Sequence, residues 1–448
     1  MIIMKFGGSS VANAERILEV KKIVEKYLDK KPVLVFSACF QTTDWLIEAG
    51  NNALNGNVDA SKIVDFHNNL LKDLKLDGAK IKPLLDEIED LLKSISLFKE
   101  FTSRIKDKLM SYGERLSVRI ISDYFNAKGI KAKAFDAWDI GFLTDANYGN
   151  AQIDVATYDN INKKLGYLKE NYEYTPIITG FIAKDKTGTI TTLGRSGSDF
   201  SASILGAALL VDEIQVWKDV DGILTADPRI VKEPKVISSL SFNEASELAY
   251  FGAKVLHPAS IVPAMQRNIP VRVKNSYNID AKGSVVLSEE LVKKSDSSKG
   301  TIKAITAKRK IILIDIVSTR MLGQSGFLSK VFNIFEQENI SVDMISSSEI
   351  SISLTIDNRY DVQKLSELLS EYANINVSYN KSIITLISDA KDTSLILGKA
   401  FSLLASKSYN VQMISHGASK VNISFILEDS EIEDAVRLLH KEFFENAV

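Results

Sequence analysis

Cysteine is nearly absent from this 448-residue sequence, and neither sign of charge is in clear excess. The single Cys39 excludes an internal disulfide framework, and no Cys and His residues have the spacing of a zinc site. A formal net charge of −2 gives neither the basic excess expected for nucleic-acid binding nor an acidic tail. No apolar run approaches the roughly 20 residues that span a bilayer, and no signal-peptide pattern is present. We therefore expect a cytoplasmic protein without nucleic-acid or membrane partners.

Short apolar runs alternate with amphipathic segments through the first two-thirds of the chain. Strands are predicted in PVLVFSA (32–38), IKAKAFDA (130–137), TPIITGFIA (175–183), EIQVWKDV (213–220) and PVRVKN (270–275). Strands separated by helices indicate a mainly parallel sheet that is covered on both faces. Residues 60–125 instead predict consecutive helices, which we interpret as a helical excursion from the sheet.

A polar, Ser-rich segment at 288–300 predicts a linker, and an internal repeat follows it. GFLSKVFNIFEQENISVDMIS (326–346) matches LILGKAFSLLASKSYNVQMIS (395–415), with Phe332 opposite Phe401 and Met344 opposite Met413. Each copy has the pattern of a βαββαβ module. The loops that lead into the two helices are suitable small-molecule sites, although such modules also serve as plain scaffold.

Two glycine-rich turns each follow a predicted strand and precede a helical pattern. In KFGGSS (5–10), two glycines would allow a ligand to approach the backbone, and Lys5 stands within reach of a phosphate. Taken alone, this stretch favours a plain structural turn. TLGRSGSDFSASILGAALL (192–210) repeats the arrangement and adds Arg195, which suits a carboxylate or phosphate. Asp199 would either cap the helix or take part in the chemistry, and the two turns would flank one transferring phosphoryl group.

Three further stretches carry charged residues next to turn signals. VWKDVDGILTADPR (216–229) is typical of a surface loop or of a nucleotide-binding loop that uses Asp219 and Arg229. FGAKVLHP (251–258) places Lys254 in an apolar segment. SYGERLS (111–117) places Glu114 either in a surface ion pair or against a substrate ammonium group.

These motifs together resemble one family, aspartate kinase of the amino-acid kinase superfamily. The matching stretches occur in the family's order: KFGGSSV, VFSA…TTD, SYGERLS, TLGRSGSDFSA, WKDVDGILTADPR and FGAKVLHP. The repeat is similar to the family's paired ACT domains. The resemblance implies a three-layer amino-acid kinase fold with a mainly parallel central sheet, followed by two α+β ACT domains of the ferredoxin-like βαββαβ type.

The resemblance also implies the reaction of ATP with L-aspartate to give 4-phospho-L-aspartate and ADP, which opens the route to lysine, threonine and methionine. A substrate carboxylate attacks the γ-phosphorus directly, so positioning and charge stabilisation suffice. Mg²⁺ would bridge the ATP phosphates largely through waters rather than through a protein cage. The chain ends where the second repeat ends, and we therefore expect a monofunctional enzyme.

The family's site residues carry over to matching positions of this sequence. Lys5 would stabilise the phosphoryl oxygens and Asp199 would orient Lys5, as the catalytic pair. The remaining assignments are phosphate binding by Gly7, Gly8 and Ser9, aspartate binding by Thr43, Glu114 and Arg195, and nucleotide binding by Lys218, Asp219, Arg229 and Lys254.

The sequence departs from the family pattern in both substrate loops. SACFQTTD (37–44) has Phe40 and Gln41 where the family usually has glycine followed by a small residue or lysine. GRSGSD has Ser196 where glycine is usual, and serine tolerates a positive φ poorly. Neither change removes a charged group, so we expect activity to be kept.

The regulatory half is closest to lysine-inhibited members of the family. L-Lysine is the expected feedback inhibitor, with threonine or S-adenosylmethionine as alternatives, and pairing of ACT domains predicts a homodimer or higher homo-oligomer. The effector-binding residues would be Met321, Gly326, Phe327, Leu328, Ser341, Asp343, Ser347 and Glu349. Expected domain bounds are 1–287 for the kinase, 288–300 for the linker, 309–378 for the first ACT domain, and 301–308 plus 379–448 for the second.

Two other functions are compatible with parts of the sequence. A kinase for glutamate or N-acetylglutamate would share the fold, but the ACT-like repeat and GERLS favour aspartate. A non-catalytic amino-acid sensor would keep the repeat alone. We expect such a protein to lose its charged site residues, whereas Lys5, Glu114, Arg195 and Asp199 are all present.

Overall fold

A computed structural model describes residues 1–252, 255–295, 302–321, 325–388, 393–417 and 421–445. The chain divides into two compact units. The first contains Met1–Ile223, Ser238–Phe242 and Val255–Ser295, and the second contains Leu224–Ile237, residues 243–252 and the described residues from 302 onwards. No helix of the described residues is long and apolar enough to cross a membrane.

The strands and helices are numbered in chain order. The strands are β1 Ile2–Phe6, β2 Pro32–Phe36, β3 Ala132–Phe135, β4 Leu143–Thr144, β5 Thr175–Thr179, β6 Ile182–Asp185, β7 Ile190–Thr192, β8 Glu213–Lys218, β9 Ser239–Ser241, β10 Val271–Asn275, β11 Ser284–Leu287, β12 Ile302–Val317, β13 Val342–Ser347, β14 Ser351–Asp357, β15 Asn374–Ser388, β16 Met413–His416 and β17 Asn422–Glu428. The helices are α1 Ala14–Glu25, α2 Thr42–Leu54, α3 Ser61–Leu74, α4 Lys82–Phe98, α5 Ser103–Ala127, α6 Ala156–Leu165, α7 Gly197–Leu209, α8 Phe242–Tyr250, α9 Pro258–Gln266, α10 Glu289–Ser295, α11 Phe327–Gln337, α12 Val362–Leu369, α13 Thr393–Ser406 and α14 Ile432–His440.

The first unit is built on an eight-stranded sheet with the order β3-β5-β2-β1-β8-β10-β11-β9. Every pair of neighbouring strands is parallel except β10 and β11. All residues of β1, β2 and β5 are buried, as expected for parallel strands that are covered on both faces. The predicted mainly parallel sheet is confirmed.

Helices cover the two faces of this sheet and give the predicted three layers. On one face, Phe6 stacks on Phe36 and Trp217 at 5.2 and 5.9 Å between ring centroids, and the same core includes buried residues of α1 to α5. On the other face, α7 packs against β1, β2 and β8. Because side chains alternate along a strand, Lys5 points away from the face that holds Met4 and Phe6.

The predicted helical excursion at 60–125 contains α3, α4 and α5. Helix α5 packs against β7, which belongs to a small sheet with the order β4-β6-β7. Asp107 of α5 accepts hydrogen bonds from the backbone N–H and the hydroxyl of Thr192 and from the N–H of Gly149, each at 2.9 Å. These bonds tie the end of β7 to α5. They therefore fix the start of the second glycine-rich turn relative to the helix that carries Glu114.

The second unit contains a six-stranded antiparallel sheet with the order β13-β14-β12-β15-β17-β16. The first half of β12 pairs with Ile383–Ser388, and its second half pairs with β14 and with the first half of β15. One core lies under α11 and α12, and another lies under α13 and α14. The predicted pair of α+β modules is confirmed, and the long strands β12 and β15 serve both of them.

Two segments from the predicted kinase range 1–287 also belong to the second unit. Ala226 and Val231 lie in the core under α13 and α14, and Arg437 donates to the carbonyl of Ile230 at 3.0 Å. In the other segment, Thr306 donates to the carbonyl of Phe251 at 2.9 Å. Ala226 and Val231 follow Asp221-Gly222 in the sequence. As apolar residues, they complete the core under α13 and α14.

Candidate active site

The candidate site lies where several parallel strands end. The carboxyl ends of β1, β2, β5 and β8 meet at one edge of the sheet, because these strands run in the same direction. Ligands bind at this edge in open α/β sheets. Lys5 lies near the end of β1, and Lys218 is the last residue of β8, which pairs with β1.

One buried aspartate joins the two lysines at this edge. Asp199, in the first turn of α7, lies 2.7 Å from Lys5 Nζ through Oδ1 and 3.1 Å from Lys218 Nζ through Oδ2. Lys5 is 7% exposed and Asp199 is 5% exposed. Lys218 also donates to the carbonyl of Val255. The two glycine-rich turns therefore do come together, through the side chains of Lys5 and Asp199.

Burial and the neighbouring charges shift the pKa values of Asp199 and Lys5 in opposite directions. Burial raises the pKa of Asp199, but the adjacent ammonium groups of Lys5 and Lys218 outweigh it and bring that pKa down to about 2. Burial lowers the pKa of Lys5, and the Asp199 carboxylate partly offsets this effect. Two ammonium groups against one carboxylate leave an excess of positive charge, which suits a phosphoryl group.

The first glycine-rich turn continues into a short 3-10 helix, Gly8–Val11, rather than directly into α1. A β-carbon on Gly8 would lie 2.8 Å from the carbonyl oxygen of Ala38 and 2.9 Å from that of Phe40. Real β-carbons do not approach oxygen so closely, so Gly8 is required by the loop after β2. Ser9 is exposed and Gly7 is partly exposed, so both are accessible to a ligand.

Glu114 is a buried carboxyl with one free oxygen. The side chain is 3% exposed, and Oε2 has no hydrogen-bond partner among the described residues. Burial raises the pKa of Glu114 to about 8, although the backbone N–H groups of Ala38 and Glu114 and the charge of Lys5 oppose the rise. An unpaired buried carboxyl is costly unless a ligand satisfies it, and a substrate ammonium group would do so.

Thr43 lies beside Gly113, the residue that precedes Glu114. A β-carbon on Gly113 would lie 3.5 Å from Thr43 Oγ1 and 2.8 Å from the β-carbon of Ala38. The glycine of SYGERLS thus lets α5 pack closely on the loop after β2 and on the first turn of α2. Glu114 and Thr43 are therefore held at the same edge as the lysines.

Arg195 and Ser196 form the turn that leads into α7. Arg195 is exposed and has no ion-pair partner within the described ranges, which leaves its guanidinium available to a ligand. Ser196 has φ +56° and ψ 27°, in the left-handed region. Phe40 also has a positive φ, +52°. Both departures from the family pattern keep the backbone conformation that glycine favours, and each carries the strain of a side chain there.

The predicted nucleotide-binding residues fall in different environments. Lys218 belongs to the ion cluster with Asp199, and Asp219 is exposed directly after β8. Arg229 lies in the second unit, where its guanidinium pairs with Asp227 at 2.6 Å. Lys254 lies outside the described residues.

The predicted effector residues surround the start of α11 and the strand β13. Gly326 has φ +87° and caps α11, and Phe327 is 8% exposed in the core of its module. Asp343 on β13 is already engaged, because Lys308 donates to both of its oxygens at 2.7 Å and Tyr250 donates at 2.8 Å. The other members of the set are at least partly exposed: Met321, Leu328, Ser341, Ser347 and Glu349.

No group of three or more His, Cys, Asp or Glu side chains in the described part of the chain is placed to hold a metal ion. Asp199 is a hard oxygen donor at the site, and both of its oxygens face ammonium groups. One carboxylate together with substrate phosphates and waters is a set of ligands that suits Mg²⁺.

Sequence reasoning missed two features of this edge. The assignment of Lys218 to the nucleotide stays a prediction, but its ion pair with Asp199 was not expected. The signal was weak, because the neighbour of β1 in a parallel sheet is not written in the sequence. Sequence reasoning also missed the ring cluster of Phe40, Trp45 and Phe66 beside the loop after β2, whose members lie on separate elements.

Replacing Ser196 with glycine should stabilise the protein. Ser196→Gly relieves the left-handed strain and loses some unfolded-state restriction, so we expect a gain of about 0.5–1 kcal/mol in the free energy of unfolding. The midpoint of chemical denaturation measures it. Ser94→Gly, within α4, is the matched control and should lower the midpoint, because glycine weakens a helix interior. A lower midpoint for Ser196→Gly would contradict the strain assignment.

The sequence and the fold have clear relatives. The profile of the Amino acid kinase family matches residues 1–275, and the profile of the ACT domain matches residues 314–364 and 385–443. Aspartokinase 1, chloroplastic, of Arabidopsis thaliana is 47% identical over 461 residues, which cover 99% of this chain and 80% of that protein. Lysine-sensitive aspartokinase 3 of Escherichia coli strain K12 is 32% identical, and the match covers 99% of both chains.

A solved structure of similar length has the same fold. The crystal structure of E. coli aspartokinase III in complex with aspartate and ADP (R-state) superposes with a TM-score of 0.80 at 29% identity, and the match covers 99% of this chain and 100% of that one. The family and fold that the motifs resembled are therefore confirmed: this chain belongs to the aspartokinase family.

Proposed function

We propose that the chain is an ATP-dependent aspartate kinase. It transfers the γ-phosphoryl group of ATP to the side-chain carboxylate of L-aspartate, giving 4-phospho-L-aspartate and ADP, in the first step towards lysine, threonine and methionine. The observation that carries the proposal is the ion cluster of buried Lys5 and Asp199 with partly exposed Lys218, near the buried carboxyl of Glu114, whose Oε2 has no hydrogen-bond partner among the described residues. Membership of the aspartokinase family supports it.

The cluster suits phosphoryl transfer without a protein nucleophile. An oxygen of the substrate carboxylate forms a bond to the γ-phosphorus, and the bond from that phosphorus to the β–γ bridging oxygen breaks as ADP leaves. Negative charge on the transferring group is met by Lys5 and Lys218. Asp199 holds both ammonium groups in place, so little reorganisation is needed when charge develops.

The substrate's other charged groups have partners at the same edge. Glu114 would accept the ammonium group of aspartate through its free oxygen. Arg195 would hold the α-carboxylate, since its guanidinium is exposed and forms no ion pair with the residues that the structure describes. Thr43 would contact the substrate from the first turn of α2. An amino acid with a second carboxylate satisfies all of these groups, which favours aspartate over a substrate without an ammonium group, such as N-acetylglutamate.

The nucleotide would bind at the remaining predicted site residues. Backbone N–H groups of Gly7 and Gly8 and the hydroxyl of Ser9 would bind phosphate. The assignments of Lys218, Asp219, Arg229 and Lys254 to the nucleotide stay predictions. Mg²⁺ would be held by ATP phosphates and by Asp199 through water, and when bound it neutralises phosphate charge.

Regulation by L-lysine is the second part of the proposal. The E. coli relative is named lysine-sensitive, and the ACT modules support an amino-acid effector. Asp343 is the candidate partner for the effector's ammonium group, which would then compete with Lys308 and Tyr250. Lysine inhibits only if it binds an inhibited state more tightly than the active one.

The assignments of domain bounds, assembly and location stay predictions. The pairing of Ile302–Lys308 with the second half of β15 supports placing that strand in the second ACT domain. We propose a homodimer or higher homo-oligomer formed through the ACT domains, and a cytoplasmic location. Sedimentation and cell fractionation test the two proposals.

The direct test of the function is a hydroxamate assay with ATP, Mg²⁺ and L-aspartate, coupled in parallel to ADP release. We expect hydroxamate and ADP to form together with aspartate and not with glutamate or N-acetylglutamate. Addition of lysine, but not threonine, should reduce both. Absence of an aspartate-dependent product would overturn the assignment.

Removing the Lys5 ammonium should abolish most of the turnover. For Lys5→Ala we expect kcat to fall by about 10²–10³-fold, because a charge that meets the transferring group is lost. Circular dichroism should show a retained fold. Lys26→Ala, which removes a half-exposed lysine at the end of α1, is the control and should keep kcat. Near-normal turnover of Lys5→Ala would remove Lys5 from the mechanism.

Binding of aspartate should strengthen as pH rises. Glu114 has a raised pKa of about 8, so its carboxyl is mostly neutral at lower pH and becomes anionic as pH approaches that value. Only the anion pairs with the substrate ammonium group. We expect KM for aspartate to fall by about 20-fold from about pH 6 to about pH 7.5 in saturating ATP. Glu114→Gln should give a higher KM without this slope, and a flat parent profile would refute the role.

The contacts of Asp343 should set sensitivity to lysine. Tyr250→Phe removes one competing donor, so we expect half-inhibition at about threefold lower lysine, while Asp343→Asn should need at least about tenfold more. Initial rates without lysine should stay near the parent values. Tyr409→Phe removes a similar 2.8 Å bond to Asp434 in the same unit and should leave inhibition unchanged. If Tyr250→Phe and Asp343→Asn are both inhibited by lysine like the parent, Asp343 is not an effector ligand.

A further inference from the structure

The loop between β2 and α2 holds a bulky residue in a conformation that few bulky residues adopt. Phe40 has φ +52°, and its side chain is 49% exposed. A left-handed conformation is a genuine outlier for an aromatic residue, and such strain persists only where surrounding contacts determine it. A flexible glycine would reach the same conformation without strain, so the ring must contribute something that offsets the cost.

The contacts that offset the strain are aromatic. The ring of Phe40 lies 5.7 Å from that of Trp45 on α2 at 68°, and 6.4 Å from that of Phe66 on α3 at 26°. Trp45 and Phe66 also meet edge to face at 5.2 Å. Offset and edge-to-face pairs of this kind are attractive beyond the area they bury. The tip of the loop is therefore fastened to two helices.

The same loop contacts the phosphate turn and also packs next to Glu114, and both belong to the proposed substrate site. The N–H of Phe40 donates to the carbonyl of Gly8 in the phosphate turn at 3.1 Å. Ala38 of the loop packs against α5 next to Glu114, because a β-carbon on Gly113 would lie 2.8 Å from the β-carbon of Ala38. The fit is tight, because Gly8 has no room for a β-carbon against the carbonyls of Ala38 and Phe40. A shift of this loop would disturb the packing next to Glu114 and the phosphate turn together.

We propose that Phe40 is a positioning residue for the amino-acid substrate. Its ring, held by Trp45 and Phe66, keeps the loop in the geometry in which Ala38 packs on Gly113, next to Glu114, and so sets the affinity for aspartate. The inference rests on the proposed aspartate kinase function and deepens it. A preorganised loop spares the substrate the cost of ordering it.

Phe40→Ala tests the proposal through the separate KM values of the two substrates. We expect KM for aspartate to rise by about tenfold, KM for ATP to stay within about twofold, and kcat to fall less than KM rises. Phe98→Ala is the matched control, since Phe98 is a 72% exposed phenylalanine at the end of α4. It should leave both KM values near those of the parent. An unchanged KM for aspartate in Phe40→Ala would overturn the proposal.

Three further variants separate positioning from folding. Phe40→Tyr keeps the ring and should keep KM for aspartate within about twofold of the parent. Phe40→Gly relieves the strain but loses the ring, so it should keep the thermal midpoint while raising KM as Phe40→Ala does. Phe66→Leu should raise KM in the same direction from outside the loop. A tyrosine variant as impaired as the alanine variant, or a glycine variant with parental KM, would contradict the ring's role.

The activity of the parent enzyme distinguishes failure of the proposed function from failure of the role proposed for Phe40. A parent without aspartate-dependent ADP release would defeat the proposed function itself. An active parent whose Phe40 variants keep parental KM values would defeat only the role of Phe40.

Discussion

Asp199 is buried between two ammonium groups, and this ion cluster constrains the whole edge of the sheet. Neither Lys5 nor Asp199 could be buried alone, because an unpaired buried charge is costly. Lys5 and Lys218 lie at the ends of adjacent parallel strands, and Asp199 comes from the first turn of α7. The register of β1 against β8 and the entry point of α7 are therefore tied to one electrostatic requirement. The net positive charge that results is what a phosphoryl group needs.

The surrounding elements extend this arrangement to the amino-acid substrate. The hydrogen bonds that Thr192 and Gly149 donate to Asp107 hold α5 against the end of β7, so Glu114 and the turn with Arg195 are positioned together. Glu114 is neutral over part of the pH range because it is buried, and a bound ammonium group would favour its anion. The site thus gains its full charge pattern only when substrate is present.

Much of the fold could be predicted from the sequence, since apolar runs and glycine-rich turns are local signals. The mainly parallel sheet and the two ACT modules were found in this way. The two similar turns indicated one shared phosphoryl site, and the family resemblance implied the contact of Asp199 with Lys5. The pairing of Lys218 with Asp199 was not predicted, because strand order is decided by packing of distant segments. The rings around Phe40 were missed for the same reason, as Phe66 lies on a separate helix.

The central claim is that Lys5 and Asp199 act as one unit in phosphoryl transfer. A double-mutant cycle on kcat, with Lys5→Ala, Asp199→Ala and the combined variant, tests it most directly. Residues that act as a unit are strongly non-additive, so we expect the combined variant to lose about as much as the worse single variant. Losses that multiply, as for independent sites, would contradict the account.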